Sequence, residues 1–366
     1  MYSFEDIAGQ QHIVRHMQDA LQTGAVSHAY ILCGERGSGK QNLAMAFAAA
    51  LLCTDPQEKD GMIQPCGRCH SCLQAASGSH PDLLVFHHQK KNDSDKRSAL
   101  GADDARRLRS DVQIKPYYSS RKIYIVPEAD RMTPQAQNVL LKTLEEPPAY
   151  AVILLLAEGT EKFLPTVLSR CILMRLRPVP EKELVSYLTD KCGADPVSAG
   201  MAARLSGGNP GRASQILGDE EAGIFIKEAE DFLSGLDRAG AYEIAQFAEK
   251  VCADEDKGKD RKKADREEEG AQEEASMQDR AGEFYEIVQN WYRDLLVAKS
   301  SEDPDSLIFM DKVQYIKDAA ERLSYEKLMR MQDAITLAGR RMDAGAGRAL
   351  VLQMLLLGLR DCLGRD

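Results

Sequence analysis

Tyr30-Ile31-Leu32-Cys33-Gly34-Glu35-Arg36-Gly37-Ser38-Gly39-Lys40 is the stretch that decides the fold. A short apolar run enters a glycine-rich loop. The loop opens onto Leu43, Ala46, Phe47, Ala50 and Leu51, which repeat at helical spacing. Strand, loop and helix in that order is the context a phosphate loop requires. Glycines let the backbone wrap closely so that its N–H groups meet phosphate oxygens, and the helix N-terminus adds a favourable dipole. The candidate nucleotide-binding residues are Gly34, Gly37, Ser38, Gly39, Lys40 and Gln41, with Lys40 as the point charge. The bland alternative is a glycine-rich turn that binds nothing; the flanking strand and helix weigh against it.

Four further apolar runs, at 83–86, 123–126, 152–156 and 172–176, accompany the first. They lack polar/apolar alternation, which predicts strands buried on both faces in a parallel sheet covered by helices. Thr133 and Pro134 predict a helix start, and Pro147-Pro148 its end. The expectation is an α/β doubly wound domain over residues 1–176. Arg177-Pro178-Val179-Pro180 marks a boundary, since two prolines in three residues fit neither a strand nor a helix interior. Beyond it no strand pattern is visible. A small helical lid is expected over 177–219, with Pro180 and Pro196 in first turns and Gly207-Gly208-Asn209-Pro210-Gly211 as a turn. A helical domain is expected over 220–366.

The chain has 366 residues, which suits two or three domains, and a formal charge of −10. That charge argues against a surface that is all polyanion footprint. The segment 253–283 holds 12 acidic and 7 basic side chains and no Val, Ile, Leu, Phe, Trp or Tyr. It is expected to be a solvated helix extension or a disordered insertion. It carries half of the net charge, so the rest of the chain is less acidic than the total suggests. The start, Met1-Tyr2-Ser3-Phe4-Glu5-Asp6, lacks the basic and apolar regions of a signal peptide, and the longest apolar run, 151–157, is far short of a membrane span. The expected location is cytoplasmic, where thiols stay reduced and clustered cysteines mean metal or catalysis.

Four of the nine cysteines cluster as Cys53, Cys66, Cys69 and Cys72, in the pattern C-x₁₂-C-x₂-C-x₂-C. Four thiolates suit tetrahedral Zn²⁺, and a closed four-ligand site is structural. An iron–sulfur cluster is the weaker reading, because the fourth cysteine is not followed by proline. His70 reads as a bystander, and cysteines 33, 171, 192, 252 and 362 as scattered singles.

Two positions speak against hydrolysis. The residue after Lys40 is ordinarily Ser or Thr, whose hydroxyl binds Mg²⁺; here it is Gln41. The strand 123–126 ordinarily runs into a metal-holding Asp; here Pro127 stands there, followed by Glu128 and, two residues further on, Asp130. The expectation is a site that can bind phosphates, ATP included, with weak or absent hydrolysis.

Phe4-Glu5-Asp6-Ile7-Ala8-Gly9-Gln10, Ser27-His28-Ala29-Tyr30, the four-cysteine insertion, Asn138-Val139-Leu140-Leu141-Lys142-Thr143-Leu144-Glu145-Glu146-Pro147-Pro148 and Leu168-Ser169-Arg170-Cys171 occur in this order. Together they resemble the bacterial clamp-loader subunits of the AAA+ class over about residues 1–215. An intact zinc module and Ser-Arg-Cys with an altered metal site resemble the delta-prime type among the DNA polymerase III subunits. The resemblance implies an AAA+ domain (1–176) with a zinc module (53–72), a lid (177–219) and an oligomerisation collar (220–366). It also implies a stator in a hetero-pentameric ring with tau/gamma and delta subunits, which loads the sliding clamp onto primer-template DNA. Arg170 would be the catalytic arginine finger reaching a neighbour's ATP site. The alternative is an ATP-hydrolysing tau/gamma-type motor subunit. Ala157-Glu158-Gly159 fills the polar sensor position of the family, and Arg212 lies near a second sensor position.

The last helix, 349–359, is apolar nearly all round and must be buried on most faces, within its domain or in a collar. Arg106, Arg107 and Arg109 are flanked by Asp103, Asp104 and Asp111, which reads as a solvated helix face rather than a DNA track.

Overall fold

The computed structural model describes residues 2–59, 61–86, 100–264, 280–301 and 307–364, with backbone alone at 220 and 254–264. The chain divides into two compact units, Met1–Gln215 and Ile216–Asp366.

The first unit begins with α1 (Gln11–Thr23), β1 (Ala29–Cys33) and α2 (Lys40–Leu52). A short excursion follows: β2 (Gln57–Lys59), β3 (Met62–Gln64) and α3 (His70–Ala76). Strands and helices then alternate as β4 (Leu83–Val85), α4 (Ala102–Val112), β5 (Lys122–Val126), α5 (Pro134–Glu145), β6 (Ala151–Ala157), α6 (Pro165–Leu168) and β7 (Ile172–Arg175). Three lid helices close it: α7 (Glu181–Cys192), α8 (Pro196–Leu205) and α9 (Pro210–Gly218).

All five expected strands form one parallel sheet of order β4-β5-β6-β1-β7. Each central strand sends alternate residues to two separate cores. Tyr30 and Leu32 pack with Phe47, Leu43 and Met17 on one face. Ile31 and Cys33 pack with Leu140, Leu144 and Leu108 on the other. Both faces are apolar, so the pattern in sequence is continuous rather than alternating. The expectation of full burial holds for β1, β5 and β6. It fails at the edges: Leu84 and Val85 are half-buried, and Leu173 is exposed. An edge strand has only one flanking strand and fewer covering helices.

Thr133 caps α5 by accepting from the Ala136 N–H, with Pro134 in the first turn as expected. Pro196 likewise opens α8, capped by Asp195. Two details differ from expectation. Pro180 is the residue before α7 rather than inside its first turn. Pro210 and Gly211 already belong to α9, so the turn ends at Asn209, whose side chain accepts from the Arg212 N–H.

The second unit holds α10 (Glu220–Ser234), α11 (Ala241–Ala264), α12 (Arg280–Ser300), α13 (Val313–Arg322), α14 (Tyr325–Asp343) and α15 (Arg348–Leu363). Among the described residues no strand follows β7. Of the charged segment 253–283, residues 253–264 continue α11 and residues 280–283 begin α12; residues 265–279 lie outside the described residues. Helix α15 buries Val351, Leu352, Leu355, Leu356 and Leu359, while Leu350 and Met354 are exposed. Among the described residues no helix is long and apolar enough to cross a membrane.

One buried charge ties the sheet to its loops. Asp82, fully buried just before β4, accepts the backbone N–H groups of Tyr117, Tyr118 and Ser119 at 2.6–2.7 Å. Burial alone would raise its pKa, but these three donors hold the carboxyl below its ordinary value. A depressed carboxylate contributes stability that is present above the unfolded value near 3.8 and is lost as pH falls through the folded value. Asp82→Ala is expected to lower unfolding stability at pH 7 by about 2–4 kcal/mol, because three donors lose their acceptor. The difference from wild type should shrink below about pH 4 in urea titrations.

Candidate nucleotide and metal sites

The glycine-rich loop sits at the C-terminal end of β1, between β6 and β7. Strand order reverses there, and open α/β sheets place their ligands at such a point. The loop begins with a hydrogen bond from Gly34 N–H to Ala157 O at 3.0 Å, which ties it to the end of β6. Gly37 and Gly39 have φ of 84° and 91°, the left-handed region that glycine enters without strain. Lys40, Gln41 and Asn42 begin α2, with Gln41 exposed.

Lys40 turns back onto its own loop. Its ammonium donates to Gly34 O and, at 2.7 Å, to Glu35 O. Burial pushes its pKa down, against the opposing pull of Glu158, Cys33, Asp130 and Glu35. Glu158 and Asp130 thus share the electrostatic environment of the lysine, although neither stands at an ordinary metal-holding position.

The acidic corner after β5 is built differently from an ATPase. Pro127 follows the strand, and Glu128 adopts a left-handed φ of 48°. The Glu128 carboxylate pairs with Arg131 at 2.8 Å, three residues further along the chain. Asp130 is 8 % exposed; its Oδ1 accepts the Glu158 N–H at 3.4 Å. The Asp130 side chain is therefore directed toward the end of β6, at Glu158.

The lid's α9 meets the loop directly. Asn209 Nδ2 donates to Arg36 O at 2.7 Å, and Gly211 N–H donates to Gly37 O at 2.9 Å. Arg212 therefore lies in the first turn of α9, beside the loop. Neither Asn209 nor Gly211 was a candidate from sequence. The Asn-Pro pair at a helix start was the available signal, since Asn is a preferred cap.

The four cysteines converge, their sulfur atoms all within 4.8 Å of one another. Cys53 follows the last residue of α2, Cys66 follows the β2–β3 hairpin, and Cys69 caps α3. Cys72 lies inside α3 and is buried. Cys53 and Cys69 Sγ are 3.9 Å apart. A tetrahedron with Zn–S of ~2.3 Å has sulfur–sulfur edges of ~3.8 Å. Three backbone N–H groups already aim at the sulfurs: Cys66 to Cys53, Cys69 to Cys66 and Cys72 to Cys69, at 3.3–3.4 Å. Such donors favour thiolates. Burial raises the Cys53 and Cys72 thiols; for Cys69 it is outweighed by donors from Thr54 and Cys72, which bring that thiol down to about 6. His70 points elsewhere, its ring 5.7 Å from that of Tyr118.

The excursion is stapled to the core by glutamines that sequence reading missed. Gln18 on α1 both donates to Ile63 O and accepts from Ile63 N–H, at 3.0 and 2.7 Å. Buried Gln64 accepts from Ser3 Oγ–H and Phe4 N–H. An amide side chain mimicking a peptide partner leaves no periodic signal in sequence.

Arg170 lies between α6 and β7. Because β7 runs parallel to β1, with Tyr30 opposite Ile172 and Cys33 opposite Arg175, Arg170 stands beside the N-terminal edge of the sheet. The loop stands at the other edge. Arg170 Nη2 pairs with Glu145 at 2.8 Å, and Nη1 donates to Thr166 O and Ser169 Oγ. The fold thus brings the six loop residues together and the four cysteines together, and keeps Arg170 apart from both. Arg106 and Arg107 pair with Asp103 and Asp104, as a solvated helix face does.

Residues 9–180 match the family model described as DNA polymerase III, delta subunit. The DNA polymerase III subunit tau/gamma of Haemophilus influenzae is 33% identical over 186 residues, covering 51% of this chain and 25% of that protein. The subunit tau of Bacillus subtilis is 34% identical over 185 residues, covering 50% and 31%. The chain thus spans about a quarter to a third of the length of these relatives. A gamma subunit-related protein of Thermotoga maritima aligns over 95% of this chain and 99% of its own, with 17% identity and a TM-score of 0.41. Over residues 9–180, a parallel-sheet α/β domain, the chain is thus similar to the DNA polymerase III delta-subunit family and, in sequence, to the tau/gamma subunits.

Proposed function

We propose that this protein is a delta-prime-type subunit of a DNA polymerase III clamp loader. It would assemble with tau/gamma and delta subunits in a hetero-pentameric ring that loads the sliding clamp onto primer-template DNA. The carrying observation is the corner after β5: Pro127 stands where a carboxylate ordinarily would, and Glu128 is paired with Arg131. With Gln41 in place of a hydroxyl, the residues that ordinarily hold Mg²⁺ are missing on both sides of the loop. Gly34, Gly37, Ser38, Gly39 and Lys40 retain the means to hold the phosphates of ATP. A subunit of this kind serves an ATPase without being an effective one.

Arg170 supports the same role. It lies at the sheet edge opposite its own loop, so it has no access to a nucleotide held in cis. A guanidinium there is suited to a neighbour's γ-phosphate, where it would stabilise developing charge. The second unit offers apolar surface for assembly: Met329 and Leu337 on α14, and Leu350 and Met354 on α15, are exposed. Cys53, Cys66, Cys69 and Cys72 would hold Zn²⁺, which would contribute folding energy and no chemistry, since four thiolates leave no open position. The relatives named tau/gamma favour a second reading, an ATP-hydrolysing motor subunit. The two readings part on hydrolysis.

The isolated chain is expected to show no Lys40-dependent ATPase; a robust rate abolished by Lys40→Ala would establish the motor reading. In an assembly reconstituted with tau/gamma and delta, Arg170→Ala should leave folding and assembly intact. It should slow hydrolysis at one site by about 10³-fold or more. Unchanged ATPase and clamp loading would remove Arg170 from the mechanism. Metal content of the purified chain should be one zinc per chain, and Cys69→Ser should lose it and melt at lower temperature. Cobalt replacement should give the charge-transfer absorption of thiolate ligands; its absence would sink the four-cysteine site.

A further inference from the structure

Four successive carbonyls of the phosphate loop are engaged by donors of this same chain. Gly34 O and Glu35 O accept from the Lys40 ammonium. Arg36 O accepts from Asn209 Nδ2, and Gly37 O from the Gly211 N–H. The last two donors come from the lid. A peptide unit is planar, so fixing a carbonyl also fixes the amide N–H that follows it. The lid contacts therefore set the direction of loop amides that a phosphate would meet.

The approach is close enough to require glycine on both sides. A Cβ at Gly37 would lie 2.6 Å from Asn209 Oδ1, and a Cβ at Gly211 would lie 2.7 Å from Gly37 O. Asn209 is 8 % exposed and has both ends of its amide satisfied. Oδ1 accepts the Arg212 N–H at 3.2 Å and caps α9, while Nδ2 reaches the loop. The turn that carries it is held in place by Val179 N–H donating to Gly208 O at 2.8 Å.

We infer that Asn209 is the positioning residue of the phosphate loop: its amide nitrogen presets the loop for a phosphate while its amide oxygen caps the lid helix. The inference deepens the nucleotide-site reading above and rests on it only for the identity of the ligand. The two roles use different atoms and can be separated. Asn209→Ser keeps a capping oxygen and removes the donor to Arg36. Asn209→Ala removes both.

The test uses the full chain and two measurements: amide hydrogen exchange of residues 34–40, and ATP binding by calorimetry with Lys40→Ala as control. The serine variant should melt close to wild type, whereas the alanine variant should melt lower. Loop exchange should be several-fold faster in both. ATP affinity should fall about two- to tenfold in the serine variant, the range of one net hydrogen bond. Loop exchange in the serine variant equal to that of wild type overturns the proposal. If wild type binds no ATP while loop exchange still rises in the serine variant, the positioning role stands and the nucleotide-site reading falls.

Discussion

Strand β1 has neither a free face nor a free edge. It is hydrogen-bonded to β6 on one side and β7 on the other, and its five residues are all buried. The two cores of the first unit meet through it, because Tyr30 and Leu32 belong to one and Ala29, Ile31 and Cys33 to the other. A strand so constrained gives the loop at its end a fixed origin. Burial of this many apolar side chains on both faces is the dominant favourable term in such a fold. The rigidity of the loop's starting point follows from that burial rather than from the loop.

What surrounds the loop is electrostatically mixed. Lys40 is drawn back to backbone carbonyls, Asp130 is tied to the end of β6, and Glu128 is spent on Arg131. Asp130 and Glu128 thus each have a partner within this chain. The same holds for Arg170, whose guanidinium is aligned by Glu145, Thr166 and Ser169 at the far edge. The sites do not converge into one catalytic centre.

Much of the fold was legible because its signals are local. Apolar runs without alternation marked the central strands, Thr133-Pro134 and Pro196 marked helix starts, and the four cysteines declared themselves by spacing. The errors lie where partners are distant in sequence. The partial exposure of β4 and β7 depends on edge position in the sheet. Gln18 and Gln64 were invisible because a single polar side chain has no period, and the contacts of Glu145 and Asn209 come from what each meets in the fold.

By itself the sequence determined the kind of domain, the place of the phosphate loop, the four-thiol cluster and the loss of two metal-holding positions, since each is written in residue type and spacing. Tertiary structure alone decided where Asp130 and Glu128 point, that Arg170 stands across the sheet from the loop, and that Asn209 closes the lid onto it. Direction and proximity are set by packing. Arg36 and Asn209 are 173 positions apart along the chain, and only the fold places them at hydrogen-bonding distance.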